Sequence, residues 1–331
     1  MRCVPVFLSA FVLFFVLSTD KGTATPSKLS GTETEFSFST ALPSDQAMFS
    51  SDVGVFRGQS VRRHIGSGRI WGNLYYGDTT LKPKGGGRIR PDFYGFQIGL
   101  DFERSPGVHA TYFFNLNQSK ARYSGDFSGI NSSNTENYLF GYGRIFYFDL
   151  LHLVFTGCLG YDRYEVSAAG NKGKGDGLQT NLFGEFGLNF ILGRWAIKPF
   201  YALQYDFLYH GRIGNSPALV SDWNGHGLQQ LFGLRLNWKA TQILEFQCRS
   251  IWVHEYLDNP PPFYRARFSR VHGVSTPTMK FHQGNIGRDW AWLGIGTKLE
   301  LAILHILLDY DVLLNERQIT HIGSFGLCIN W

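Results

Sequence analysis

From residue 65 onward, apolar and polar residues alternate along the chain. Between Phe93 and Glu103, the residues Tyr94, Phe96, Ile98, Leu100 and Phe102 fall on one face of an extended backbone. Gly95, Gln97, Gly99, Asp101 and Glu103 fall on the other. Successive side chains of a strand point to opposite faces, so this segment has an apolar side and a small, polar side. The pattern recurs. Over 178–192, Leu178, Leu182, Phe186, Leu188, Phe190 and Leu192 oppose Gln179, Asn181, Glu185 and Asn189. Over 195–209, Trp195, Ile197, Tyr201, Leu203, Tyr205, Phe207 and Tyr209 oppose Lys198, Gln204 and Asp206. Over 302–314, Leu304, Ile306, Leu308, Tyr310, Val312 and Leu314 oppose His305, Asp309 and Asp311. Over 319–331, Ile319, His321, Phe325, Leu327, Ile329 and Trp331 oppose Thr320, Ser324 and Asn330. In all, twelve strands are expected, at 65–77, 91–104, 107–119, 136–149, 151–165, 177–192, 194–209, 227–239, 241–256, 288–300, 302–314 and 318–331.

These segments are long. A strand needs about 9–11 residues to cross a bilayer at its usual tilt, whereas strands of soluble domains run to about 5–6. The connections alternate too. Turns at Ser105-Pro106, Leu150, Gly193, Ala240 and Leu301 are nearly absent, while 78–90, 120–135, 166–176, 210–226 and 257–287 are long. Asn315-Glu316-Arg317 is the exception, short where a long loop is expected. Short turns at one end and long loops at the other describe a bacterial outer-membrane barrel with its short turns in the periplasm. An even strand count then puts both chain ends there. In hydrocarbon every backbone polar group needs an internal partner, and a closed barrel provides one without leaving an edge. The fold class expected is therefore all-β: a transmembrane antiparallel up-and-down barrel of about twelve strands. Aromatics at the ends of the apolar face suit the two membrane interfaces. Trp71, Trp195, Trp238, Trp252, Trp290 and Trp331 all fall in the expected strands.

Composition narrows the alternatives. Of 331 residues, 39 are Gly, aromatics make up 16% and charged residues 17%. Disordered chains are poor in aromatics and rich in charge. Past residue 20 no run of about 18 apolar residues exists, which does not fit a polytopic helical membrane protein; an uncleaved anchor before residue 20 stays the alternative to a signal peptide. At the N-terminus, Arg2 precedes a mostly apolar run from Val4 to Leu17, followed by Ser18, Thr19, Asp20 and Lys21. That is the plan of a secretory signal peptide. Gly22-Thr23-Ala24 offers small residues for cleavage, so the mature chain is expected to begin near Thr25. The domain plan is then 1–24 as signal peptide, 25–64 as a short N-terminal segment, and 65–331 as the barrel. Cys158, Cys248 and Cys328 are odd in number and far apart. They show neither metal-ligand spacing nor a disulfide framework.

Several strands are similar to those of a known family. Ile197-Lys198-Pro199-Phe200-Tyr201-Ala202-Leu203-Gln204-Tyr205 resembles the "PF…LQY" strand of the autotransporter β-domain, the C-terminal translocator of type V secretion. Leu231-Phe232-Gly233-Leu234-Arg235-Leu236 resembles its "LGLRL" strand, and Trp252-Val253-His254-Glu255-Tyr256-Leu257 its "W.HE" strand. The end of the chain, Ile322-Gly323-Ser324-Phe325-Gly326-Leu327-Cys328-Ile329-Asn330-Trp331, resembles its closing strand. The resemblance implies a twelve-stranded barrel with periplasmic ends. It also implies a passenger upstream of the barrel, drawn through the pore, and a helix in the lumen just before the first strand. This sequence departs from the family plan in one respect. Only about 40 residues separate the signal from the first strand, and Thr25–Thr40 carries no periodicity. Two readings of Ser44–His64 stay open, a short lumenal helix capped by Ser44 and a plain linker.

Candidate sites follow. Phe325, Leu327, Ile329 and Trp331 resemble the C-terminal signal read by the barrel-assembly machinery, an apolar strand ending in an aromatic that strand addition can recognise. Periplasmic chaperones and outer-membrane lipid are the other partners expected. Arg235, Glu245, Arg249, Asp309 and Asp311 are expected to face the lumen, lining a pore or pairing with one another. An interior position shields them from lipid, where a central Arg or Lys costs about 2–4 kcal/mol. His305 and Asp309 share a face but stand about 13 Å apart along the strand. His254 and Glu255 are adjacent and point to opposite faces. No nucleophile–base constellation emerges, so no catalysis, cofactor or metal is expected. Basic residues gather in the expected loops: Lys82, Lys84, Arg88 and Arg90; Lys172 and Lys174; Arg265, Arg267, Arg270 and Lys280. They suit either lipopolysaccharide phosphates or simple solvation. Lys84-Gly85-Gly86-Gly87-Arg88 lacks the strand–helix context of a phosphate loop, and nucleic-acid binding is not expected. The functions that fit are an autotransporter-like barrel translocating or anchoring its own N-terminal segment, a small pore, or a surface barrel displaying basic loops.

Overall fold

The computed structural model describes residues 68–82, 88–105, 107–124, 130–148, 150–168, 171–211, 213–215, 218–220, 223–257, 264–268, 279–281 and 288–330. The expected signal peptide, the 25–64 segment with its helix-or-linker stretch, and Trp331 lie outside the described residues. Twelve long strands dominate: β1 (Gly68–Leu81), β2 (Arg88–Ser105), β3 (Val108–Ser124), β4 (Ile130–Tyr147), β5 (Leu151–Ala168), β6 (Asn171–Leu188), β7 (Trp195–His210), β8 (Trp223–Lys239), β9 (Leu244–Glu255), β10 (Asp289–Leu301), β11 (Leu304–Leu314) and β12 (Gln318–Asn330). Each pairs antiparallel with its neighbour in sequence. The last returns to the first, with Arg69 opposite Asn330 and Leu81 opposite Gln318. The ring is therefore closed. A short extra strand, Phe190–Leu192, runs on from β6 and pairs with the start of β7. Four more short strands, Ile213–Asn215, Ala218–Val220, Tyr264–Phe268 and Met279–Phe281, form a separate small sheet. It joins the β7–β8 connection to the β9–β10 connection.

All twelve expected segments are strands. Several continue further than alternation suggests. The expected loops at 78–90, 120–135 and 166–176 are mostly strand, and residues 169–170 alone separate β5 from β6. The reason is visible in Asn171-Lys172-Gly173-Lys174-Gly175-Asp176, where both faces are polar or bare. Alternation carries no signal there, yet ladder hydrogen bonds pair Ala168 with Asn171 through Asp162 with Gly177. Strand β9 starts later than expected. The Thr241 side-chain oxygen accepts from the backbone N–H groups of Ile243 and Leu244 at 3.2 and 3.0 Å, which holds 241–243 in a turn. The tight turns before β3 and β7 use Gly107 and Gly193 in the left-handed region, at φ 76° and 63°.

The two faces are inverted relative to a water-soluble domain. Leu74, Phe140, Leu159 and Ile295 are 59%, 58%, 67% and 64% exposed, while Gln97, Asn115 and Gln204 are 0–2% exposed. The apolar residues ring the outside and the amides lie within. Trp195 stacks on Trp238 on the outer surface at the short-turn end, ring centroids 5.7 Å apart. Trp71 and Trp290 sit elsewhere than at a membrane interface. Both are buried on the inner face, as is Trp292. Their indole N–H groups explain the placement, because a buried indole needs an acceptor. Trp71 donates to Asp101 at 2.9 Å and Trp292 to Asp311 at 2.8 Å. Close packing inside relies on glycine at facing positions. A Cβ on Gly233 would lie 2.5 Å from the Phe200 ring, and one on Gly99 would overlap the Trp71 indole.

Candidate functional site in the barrel interior

The inner wall carries two kinds of surface. One is an apolar belt that includes Phe93, Phe183, Phe200, Leu231, Trp292 and Ile322. The sequence pattern alone suggests a wall of amides, glycines and scattered charges, so the belt is a difference from expectation. It arises because aromatic side chains fold over the facing glycines. The other surface is a set of ionic clusters: those of Arg69, Glu185 and Lys298 lie toward the short-turn end, and that of Arg249 and Asp311 lies higher in the barrel.

The first cluster joins four strands. Arg235 on β8 donates two bonds to Glu185 on β6, Nη1 to Oε1 at 2.7 Å and Nη2 to Oε2 at 2.9 Å. Nε2 of His152 on β5 lies 2.8 Å from Glu185 Oε1. The Arg235 guanidinium crosses β7 by lying 3.7 Å above the Phe200 ring. All three polar side chains are at most 2% exposed. In the second cluster Arg249 on β9 bonds to Asp311 on β11, with Nε to Oδ1 at 2.6 Å. Its Nη1 is 3.7 Å from Asp309. Gly294 on the intervening β10 is what opens the path, since a Cβ there would overlap both partners. In the third, Arg69 pairs with Asp101, which also accepts from Thr111 at 2.8 Å. Lys298 pairs with Glu300 at 2.6 Å. Such charge-assisted, two-point bonds fix strand register as well as adding energy.

The sequence candidates fall as follows. Arg235, Arg249 and Asp311 are buried on the inner face, and Asp309 is half-buried beside Arg249. Glu245 is half-buried and accepts from Asn237 and Gln247 rather than from either arginine. Phe325, Leu327 and Ile329 are exposed on the outer face. His305 is buried with Nε2 3.0 Å from Asn330 Nδ2, and His254 pairs on the outer surface with Asp289 at 2.9 Å. Lys172 and Lys174 belong to β6 and flank Glu165 at 3.5 and 3.7 Å. Sequence reasoning did not single out Glu185, His152, Arg69 or Asp101. Glu185 and Asp101 stand out only as acids on a polar face. Nothing in a one-dimensional pattern shows that Arg235 reaches Glu185 fifty positions earlier. Among the described residues no cluster of three His, Cys, Asp or Glu side chains could hold a metal ion.

The architecture matches that of solved outer-membrane proteins. The translocator domain of the autotransporter NalP from Neisseria meningitidis superposes with a TM-score of 0.64 at 14% identity, covering 86% of this chain and 97% of that one. The β domain of the Bordetella autotransporter BrkA gives 0.59 at 16% identity, covering 80% and 99%. An outer-membrane channel from Pseudomonas putida F1 gives 0.51 at 10% identity, covering 83% and 98%. No curated protein matches the chain in sequence. The family model described as "Autotransporter beta-domain" matches residues 70–311. The barrel is an outer-membrane structure of a transport and secretion family, and the chain belongs to the autotransporter β-domain family.

Proposed function

We propose that this barrel translocates or anchors the chain segment upstream of β1. The observation that carries the reading is where β1 begins. Gly68 lies at the short-turn end, hydrogen-bonded into a closed ring, with Arg69 and Trp71 already on the inner face. A chain entering β1 from upstream therefore arrives at the mouth of the lumen. The Arg69–Asp101 and Arg235–Glu185–His152 clusters lie on the inner wall near that mouth, and the family match supports transport as the task. The test is topological. An epitope tag is placed after Ser30, and intact cells are probed with antibody and protease. Surface exposure of the tag is the expected result. A tag reached only after the outer membrane is permeabilised would overturn the reading.

A pore is the second reading, favoured by the likeness to the Pseudomonas putida channel. Single-channel conductance separates the two. Deleting residues 25–64 should raise it if that segment normally occupies the lumen. Unchanged conductance favours the plain pore.

A further inference from the structure

The outer face of β4 to β8 carries a groove of 660 Å³, within the range of about 300–1,000 Å³ typical of small-molecule sites. Its floor lies at Gly157 on β5 and Gly184 on β6, with Leu182 and Leu203 as walls. Inner glycines such as Gly99 and Gly233 make room for an aromatic ring. These two do not. A Cβ on Gly157 would meet nothing closer than Leu182 at 3.5 Å, and one on Gly184 nothing closer than Phe155 at 3.8 Å. Neither has a left-handed backbone. Internal packing thus gives no reason for a missing side chain at either position, and the space they leave opens outward to lipid.

One charged residue lines the groove. Arg144 on β4 is exposed on the outer face, donates to the Tyr142 hydroxyl, and lies 6.0 Å from that ring. Among the described residues no carboxylate pairs with it. A guanidinium on a lipid-facing surface is costly without an anion. Arg144 stands three residues before Tyr147, the end of β4 at the short-turn side. At about 3.3 Å per residue and a tilt near 40°, its Cα is only about 8 Å from that end. An extended arginine side chain covers a comparable distance, so its guanidinium can snorkel toward the headgroups of the periplasmic leaflet.

We propose that this groove binds one glycerophospholipid of the periplasmic leaflet, with an acyl chain over Gly157 and Gly184 and the phosphate on Arg144. The chain supplies apolar contact where the strands lack side chains. The phosphate supplies the counter-ion, in a charge-assisted bond suited to an arginine fork. The inference stands apart from whether any segment crosses the barrel.

The test uses the full chain, extracted in mild detergent and examined by native mass spectrometry with added phosphatidylglycerol, diacylglycerol or lipid A. The wild type should hold one phosphatidylglycerol and release diacylglycerol. Arg144→Gln and Gly184→Leu should each lower retention at least tenfold. Gly323→Leu is the control, an outward glycine on β12 whose Cβ would meet nothing within 4 Å. It should leave retention unchanged. Folding of each variant is read from heat-modifiable gel migration, and Gly157→Val replaces Gly184→Leu if the latter does not fold. Equal retention by Arg144→Gln, equal retention of diacylglycerol, or preference for lipid A would each overturn the proposal.

Discussion

Arg235 and Glu185 grip each other with two parallel bonds across an intervening strand, 50 positions apart in sequence and sealed from solvent. Breaking a buried pair strands one charge, whereas replacing both members with apolar residues removes the desolvation cost as well. Arg235→Met or Glu185→Met alone should therefore destabilise the barrel by about 3–5 kcal/mol. The double variant also takes the partner from the buried His152 Nε2, so it should recover only part of that loss. Urea unfolding of the barrel in lipid vesicles measures all four corners of this cycle. Additive losses would show that the two side chains act independently.

Glycines inside the barrel should be far less replaceable than those outside. Gly233→Ala pushes a methyl into the Phe200 ring, and Gly99→Ala pushes one into Trp71. Overpacking of this kind costs about 1–3 kcal/mol. Gly72→Ala, whose Cβ meets only the Gln97 carbonyl oxygen at 3.7 Å, should change stability by less than about 0.5 kcal/mol. Equal effects at all three positions would refute the assignment of faces.

Charge tolerance should follow the same division. Leu308, 53% exposed in the middle of β11, faces lipid, and Leu308→Lys should cost about 2–4 kcal/mol. Ser324 pairs with Asp309 in the β11–β12 register and sits on the inner face. Ser324→Lys gains a neighbouring carboxylate and should cost less than about 1 kcal/mol. Vesicle unfolding compares them directly, and the reverse order would contradict the geometry.

The closing strand allows assembly to be separated from packing. Phe325 is exposed on the outer face, beside the seam where β12 meets β1. If its ring is read during assembly, Phe325→Ser should lower the amount of folded barrel in the outer membrane several-fold. Refolding of the purified variant into vesicles should change little. A matching loss in both assays would reduce the ring's role to packing.

Strand number, facing and closure were legible in the sequence because each depends on a two-residue period. Leu308 against Asp309 and Phe96 against Gln97 state their faces locally. The hairpin extensions were not legible, since beyond the lipid a strand such as Asn171–Asp176 needs no apolar side. The interior was legible only in part. Arg249 and Asp311 could be assigned to one face, but their pairing depends on Gly294 lying between them and on a register no local pattern states. Trp71 misleads for a related reason. An indole reads as a membrane-boundary residue until Asp101 is seen beneath its N–H.

The unequal lengths of the strands give the barrel a tilted crown. Strands β2 to β6 run to 17 or 18 residues, about 45 Å of height at a 40° tilt, against a hydrocarbon band near 25 Å. Strand β11 has 11 residues, about 28 Å, and the turn after it is only three residues long. One side of the mouth is a parapet and the other a sill. Among the described strands the rim is lowest at β11.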